Sequence, residues 1–422
     1  MVRTASALGL DLIHEPRLVR LNPNVPTKTR GNAALVARFA HGRGTPEVVG
    51  SLPEGPVVCY RSGRDLTEGE RLQLADELWT TVLAASAGSD PGTDPALLVL
   101  RRQPPAELYW EAVRRIVTMD EVHRWLAGTG AIARSVPSGV GQIGAAAALA
   151  WPGAHPTWEA IAYRDPVRWG TDRQVDRASV AEAAEHHREL FLCIDPRTRR
   201  VLIAPHTSCP ILFGLRATEP SAAVAALHEI RSEPVERWLL YRTNQGTGDH
   251  MRRPWPVPPV PFMAGTVTGR LVERPAPRPG GHLLFSLMLD SGARVRCAVF
   301  EPTKTLPRVV RSLVPGDRVR LWGGSQADPV FRVEGLDLLS LRPRHVPREN
   351  PRCPRCAHRM GSLGADRGFR CARCRHRSPP ESRGNRRVAP EFPVGRYHPT
   401  PSARRHLAPR GPEPGIPPGR MD

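Results

Sequence analysis

Two phrases near the C-terminus, CPRC at 353–356 and CARC at 371–374, enclose 14 residues. Each CxxC turn presents a pair of sulfurs, and two such turns at this separation close on a single tetrahedral ion, the arrangement of a zinc ribbon. Cys353, Cys356, Cys371 and Cys374 are therefore the candidate metal ligands. Four cysteines leave no position open for water, so the expected Zn²⁺ is structural. A redox CxxC is the weaker alternative, because two pairs at ribbon spacing come without a thioredoxin-like context. The remaining cysteines, Cys59, Cys193, Cys209 and Cys297, are scattered, unlike a secreted disulfide framework.

A ribbon occupies only 346–378, and 422 residues exceed one ordinary core. Residues 1–185 mix β-branched runs such as ALLVL (96–100) with helical stretches, and read as an α/β domain. The spacing of Trp110, Val113, Val117, Val122 and Trp125 predicts a helix over 108–126. Residues 186–251 read as a small α+β unit: the runs ELFLCID (189–195) and VLIAPH (201–206) flank a PRTRR turn, and ILFGLRA, a helix and VERWLLYRTNQ follow. RRPWPVPPVPF (252–262) is a proline-rich linker. Residues 263–345 carry short alternating strands with one helix, a small barrel of the OB type. From 379 to 422 Pro, Arg and Gly dominate, which predicts a disordered tail. The N-terminus lacks the uninterrupted apolar run of a secretory signal and no stretch has the length of a membrane span, so the expected location is cytoplasmic.

Net charge is +19, carried by 58 arginines and two lysines against 41 acidic residues. From residue 341 onward 19 Arg face 6 acidic residues, an excess of 13. Codon usage explains Arg in place of Lys, but not an excess gathered at one end. A polyanion is the natural partner, since each neutralised phosphate releases counterions. With an OB-type barrel and a ribbon, RNA or single-stranded DNA follows. Arg352, Arg355, Arg370, Arg373, Arg375 and Arg377 in and beside the knuckles are expected to meet phosphates. Trp322 and Phe369 are the aromatics available for stacking in this half, with packing under the knuckle the preferred role of Phe369.

Lys28 stands in NPNVPTKTRGN (22–32). An ammonium is a compact point donor and a guanidinium a planar fork, so a site needing one does not readily take the other. Lys28, Thr29, Arg30 and Asn32, with Asn22 and Asn24 before them, form a donor cluster suited to phosphate oxygens; an ordinary loop is the alternative. Gly139, Gly141 and Gly144 in GVGQIGA would admit a nucleotide to a helix N-terminus, or simply pack that helix on a strand. Asp94 in GTDP would hold Mg²⁺ or cap a turn. YRTNQGTGDH gathers Arg242, Thr243, Asn244, Gln245, Asp249 and His250 for substrate or RNA contact, or for a hydrogen-bonded interdomain loop. Lys304, the second lysine, faces RNA or solvent.

In order along the chain, PRLVRLNPNVPTKTRGNAAL, GTDPALLVL, GVGQIGAAAAL, AYR with GTDRQVD, VLIAPH with FGLRA, YRTNQGTGDH, and VFEPTK with LVPGDRVRLWGG resemble the archaeal agmatidine synthetase family, over roughly residues 8–377. The resemblance implies a kinase-like α/β domain, a ferredoxin-like domain, an OB-fold and a zinc ribbon. It implies ATP-dependent activation of the wobble cytidine of the CAU-anticodon isoleucine tRNA, then attachment of agmatine or a similar amine. No obligate protein partner is evident in the sequence. Lys28, Arg30 and Asp94 become the expected catalytic residues, and Lys304, Arg355 and Arg373 join the 242–250 phrase as expected RNA contacts. The family's N-terminal acidic phrase, Asp-Asp-Thr-Asp, is absent. Losing that strand and helix would bare apolar surface, so the expectation is a start codon placed too far downstream. The rivals are a non-catalytic RNA-binding protein and a single-stranded DNA repair accessory built on the same two modules. ATP consumption dependent on tRNA separates enzyme from binder.

Overall fold

The structure is a computed structural model that describes residues 1–26, 32–86, 93–347, 349–364 and 366–411. It is a mixed α+β multidomain protein. The first unit opens with α1 (Val2–Ala7), then β1 (Asp11–Arg20), β2 (Ala33–Arg43), β3 (Glu47–Leu52), β4 (Gly55–Tyr60) and β5 (Ser62–Arg64). Next comes α2 (Glu68–Ala85), started by a reciprocal capping box between Thr67 and Glu70. A hairpin of β6 (Ala96–Val99) and β7 (Ile132–Ser135) encloses α3 (Ala106–Ala112) and α4 (Met119–Leu126), and α5 (Gly141–Leu149) packs over β2 and β6.

The helix expected over 108–126 is in fact two. Thr118 caps α4 through a second capping box with Glu121, and Arg115 ties the break by pairing with Glu111 at 2.7 Å and Glu121 at 2.6 Å. A local cap defeats the apolar period, although Val113, Val117 and Val122 are all buried as that period requires.

The second unit comprises β8 (Thr157–Tyr163), α6 (Arg177–His186), β9 (Ile211–Ala217), α7 (Pro220–Glu229) and β10 (Arg237–Thr243). It builds no separate sheet. One eight-stranded sheet runs β5-β2-β1-β4-β3-β10-β8-β9, and β10 also pairs in parallel with β1, setting Arg17 opposite Arg242. The runs at 189–195 and 201–206 make only isolated bridges, Leu190 to Ala217 and Ile194 to Val201. Between them the Asp195 carboxylate accepts the N–H groups of Arg197 and Thr198, a side-chain turn that competes with strand pairing.

Residues 252–262 are anchored by Trp255, which is buried in the barrel core edge-on to Phe331 at 5.2 Å. The barrel has β11 (Ala264–Leu271), β12 (Ala276–Arg278), β13 (His282–Leu289), β14 (Arg294–Val299), α8 (Thr305–Arg311), β15 (Arg318–Gly324) and β16 (Phe331–Ser340). It closes through β11 with β13 and a parallel pairing of β14 with β16. Short strands follow: β17 (Arg344–Pro347), β18 (Gly361–Ser362), β19 (Phe369–Arg370), β20 (Arg377–Ser378), β21 (Asn385–Val388) and β22 (Gly395–Tyr397). β18, β19 and β20 form the ribbon sheet, and β21 returns to pair with β17.

The tail is not disordered as far as Gly411. β22 adds to the barrel beside β16, with Tyr397 opposite Leu336. The chain then crosses to the first two units, where the His406 and Leu407 carbonyls accept the N–H groups of Gly246 and Gly248, both at 2.8 Å. Leu407 is buried with Val19 and Tyr109. Average composition misses this because a few apolar anchors and main-chain pairing suffice to order a Pro/Arg-rich segment. Residues 412–422 lie outside the described residues.

Candidate functional site

The NPN loop leaves the C-terminal end of β1. Lys28, Thr29 and Arg30 lie outside the described residues, but the base of their loop is defined. Leu21 N donates to Asn32 O at 2.9 Å, and Asn32 Nδ2 donates to Asn22 O at 2.7 Å. The Asn22 side chain accepts Asn24 N and donates to Phe262 O, both at 2.9 Å. Asn24 Oδ1 accepts from Arg405 Nη1 at 2.7 Å. The asparagines expected to hold phosphate thus brace the loop. Beside it, Arg20, Leu21, Pro23, Asn32, Arg405, His406 and Leu407 line a cleft of about 210 Å³.

Asp94 and the glycine phrase meet at the start of α5. Ser138 Oγ donates to Asp94 Oδ2, while Asp94 Oδ1 is buried without a partner among the described residues. That oxygen is the atom a cation or a donor would meet. Gly139 takes φ +68°, in the left-handed region. Gly141 lies so close under the Asp94 carbonyl that a Cβ would sit 2.1 Å from its oxygen. Gly144 needs no such freedom; a Cβ there would touch only Leu21 Cδ1 at 3.7 Å.

The YRTNQGTGDH phrase forms a junction. Asn244 accepts Arg20 N at 2.8 Å, donates to Arg20 O at 2.9 Å and donates to the Tyr109 hydroxyl at 2.7 Å. That hydroxyl donates to Asp249 Oδ2 at 2.7 Å, and burial, then the Asp249 charge, push the phenol well above its ordinary range. Gln245 donates to Glu159 and shares a 2.8 Å hydrogen bond with His406 Nδ1. His250 Nε2 lies 3.4 Å from Glu334 of the barrel. Thr243, Asn244, Gln245 and His250 are fully buried. Their side chains hydrogen-bond groups from β1, α3, β8 and the C-terminal segment.

Arg242 differs from its neighbours. It donates to Gly153 O at 2.6 Å and faces Arg17 across β1 and β10. Burial, then the Arg242 charge, holds the Arg17 guanidinium below its ordinary range. Arg17 and Arg405 are functional candidates the sequence reading missed. Alternation along β1 held the signal for Arg17, whereas nothing local to Arg405 points to the loop.

In the ribbon, Cys353 and Cys374 Sγ are 3.4 Å apart, Cys356 and Cys371 3.5 Å, and Cys356 and Cys374 3.6 Å, with all four sulfurs within 4.8 Å of one another. A tetrahedral zinc with Zn–S near 2.3 Å sets sulfur edges of about 3.8 Å, so the four donors fit one such ion. The Cys374 N–H leads the donors that bring the Cys371 thiol down to about 6. Phe369 is buried under the knuckles with Met360. Arg355 and Arg373 are exposed on them. Trp322 is buried between His398, 5.5 Å away, and the Arg396 guanidinium at 5.3 Å, so the expected stacking surface is covered. Lys304 pairs with Glu301 at 2.8 Å and remains exposed.

Three family models match: the TiaS TCKD domain over residues 1–137, the TiaS FLD domain over 139–250 and the TiaS C-terminal zinc ribbon domain over 350–387. The isoleucine-tRNA 2-agmatinylcytidine synthetase TiaS of Methanosarcina mazei is 36% identical over 407 residues, covering 93% of this chain and 88% of the relative. The chain belongs to the TiaS family. A second TiaS relative, from Methanopyrus kandleri, is 32% identical, covering 95% of this chain and 89% of its own. Among solved structures, a complex of TiaS with its isoleucine tRNA and ATP superposes with a TM-score of 0.77 at 29% identity, covering 94% of this chain and 88% of that one. A complex of TiaS with the same tRNA, AMPCPP and agmatine gives 0.76 at 26% identity over 99% and 94%. The first two family models meet at 137–139, so β8 falls with the second, as its sheet neighbours β9 and β10 do.

Proposed function

We propose that this chain is an ATP-dependent ligase that activates the wobble cytidine of the CAU-anticodon isoleucine tRNA and joins agmatine to it at the 2-position. The observation that carries this is the near-complete superposition on the complex that holds the isoleucine tRNA, an ATP analogue and agmatine. The chemistry is sound: a carbonyl oxygen leaves poorly, its phosphorylated form leaves well, and a neutral amine then displaces it. In finer terms, the first unit is a kinase-like domain, the second is ferredoxin-like, and the barrel is an OB-fold. Its strand order, with β14 pairing in parallel with β16 and α8 placed between β14 and β15, supports that assignment.

Within the first unit, Lys28, Thr29 and Arg30 hold ATP phosphates, and Asp94 Oδ1, buried without a partner among the described residues, serves Mg²⁺. In the ribbon, one Zn²⁺ is held by the four cysteines in a structural role. The exposed Arg355 and Arg373, with Lys304 on the barrel, meet RNA phosphates. No helix among the described residues is long and apolar enough to cross a membrane, and the reaction belongs with tRNA in the cytoplasm.

The test is mass spectrometry of the wobble nucleoside after incubating purified protein with the CAU-anticodon isoleucine tRNA, ATP and agmatine. A mass increase matching agmatine addition with loss of water is expected. An unmodified cytidine with tRNA bound would leave a non-catalytic RNA-binding protein.

A further inference from the structure

We infer that Arg17 and Arg242, opposite each other where the first two units meet, form a binding site for a phosphate oxyanion of a substrate. The inference rests on the reading of the chain as a tRNA-modifying ligase, whose substrates tRNA and ATP both carry phosphate.

Register and a single turn place the pair. β1 and β10 run parallel with Arg17 opposite Arg242, near the C-terminal ends of both strands. Crevices outside the carboxyl ends of parallel strands are where α/β sheets receive ligands. β1 falls within the first family model and β10 within the second, so both units contribute to the site. The turn that follows α5 orients both guanidiniums: Arg17 Nη1 donates to Trp151 O at 3.3 Å, and Arg242 Nη2 donates to Gly153 O at 2.6 Å. Gln103 Nε2 also donates to Trp151 O, at 2.8 Å. Trp151 and Gly153 are buried, so the frame that holds the two side chains is fixed.

A countercharge is what the pair lacks. Among the described residues neither arginine pairs with a carboxylate, and the two carbonyls are their acceptors. Arg242 Nε is buried and has no partner there. Like charges opposite one another on neighbouring strands destabilise a sheet. Burial, then the Arg242 and Arg38 charges, hold the Arg17 guanidinium below its ordinary range. Other half-buried arginines of this chain are neutralised: Arg115 by Glu111 and Glu121, Arg237 by Glu236 and Arg332 by Asp328. At Arg17 and Arg242 that role is left for a ligand. Both side chains are half-buried, open enough to be reached and dry enough for the contact to be strong. With one N–H of each given to the turn, the remaining donors, Arg242 Nε among them, are the groups that meet the oxyanion.

The test uses full-length protein carrying Arg17→Gln or Arg242→Gln, each of which keeps an N–H donor for the turn and loses the charge. Three quantities are read: tRNA affinity by filter binding across a salt series, KM for ATP in tRNA-dependent ATP consumption, and the urea midpoint. If the phosphate belongs to the tRNA backbone, each variant weakens tRNA binding about tenfold and lowers the salt slope by roughly 0.7–0.9, with KM for ATP held within about twofold. If it belongs to ATP, KM for ATP rises about tenfold and tRNA affinity holds within about twofold. In both cases the urea midpoint should not fall, because removing one charge relieves the repulsion. Arg17→Lys and Arg242→Lys keep the charge and should retain the salt slope in the first case; they read the same quantities should a glutamine variant misfold. Unchanged tRNA affinity, salt slope and KM for ATP overturn the inference. Losses in both binding quantities together with a lowered urea midpoint also overturn it, and leave the pair as struts for the turn at 151–153. Wild-type protein that binds tRNA but consumes no ATP would end the ligase reading, and filter binding would then decide the site alone.

Discussion

Gly139, Gly141 and Gly144 look alike in GVGQIGA, yet replacing each by alanine should give three different results. At Gly141 a methyl would sit 2.1 Å from the Asp94 carbonyl oxygen and 3.1 Å from Ala96 Cβ. A carbon–oxygen contact needs more than 3 Å, so α5 or the strand entry at Asp94 must retreat by roughly 1 Å, which in a packed interior costs about 1–3 kcal/mol. That shift also moves Asp94, whose Oδ1 is buried without a partner among the described residues. Gly141→Ala should therefore lower stability and slow tRNA-dependent ATP consumption at saturating ATP. At Gly139, with φ +68°, a Cβ costs about 1–2 kcal/mol in backbone strain alone. Gly144 is inside the helix and has room, the nearest atom being Leu21 Cδ1 at 3.7 Å, so alanine there should stabilise by about 0.5–1 kcal/mol through helix propensity. Urea unfolding of the three variants, with ATPase rates alongside, measures the order. A Gly141→Ala protein as stable as the wild type, or a Gly144→Ala protein less stable than Gly141→Ala, would refute the reasoning.

Chelation or Cys371→Ser should release one zinc per chain and unfold the ribbon, because its buried cluster among the described residues is no more than Cys353, Met360, Phe369 and Cys371; elemental analysis and near-ultraviolet dichroism check this. His398 is buried, and burial, then Arg404 and Arg396, hold its imidazole down to about 3. Its unfolded value is near 6.5, so the stability it contributes is fully present above that pH. Below it the contribution falls by about 1.4 kcal/mol per pH unit, down toward the folded value. His398→Gln should flatten the urea midpoint between about pH 6.5 and 5 by that slope. Arg164 and Glu233 form an ion pair with side-chain exposures of 1% and 0%. Glu233→Ala leaves a buried guanidinium uncompensated and should destabilise by about 3–5 kcal/mol in equilibrium unfolding.

Whatever is written in local spacing and in phrases was legible from the residues alone. Four cysteines at ribbon spacing brought their sulfurs together because a CxxC turn is a local object. The barrel strands, α7 and β10 were legible from alternation and period, and the phrase order identified the family. Local reading failed where a short-range polar contact outbid a pattern, as Thr118 and Glu121 did in the helix expected over 108–126 and Asp195 did in the run at 189–195. That the two N-terminal units share one sheet emerges only in three dimensions, because the partners of β10 are β1, β3 and β8, far away in sequence. The roles of polar residues are set there too. Asn244 and Gln245 read the same whether they face RNA or a junction, and the difference is made by Arg20, Tyr109, Glu159 and His406 arriving from elsewhere. Arg405 is the extreme case: 381 residues separate it from Asn24, and a contact at that distance has no local signature because it exists only once the chain has closed on itself.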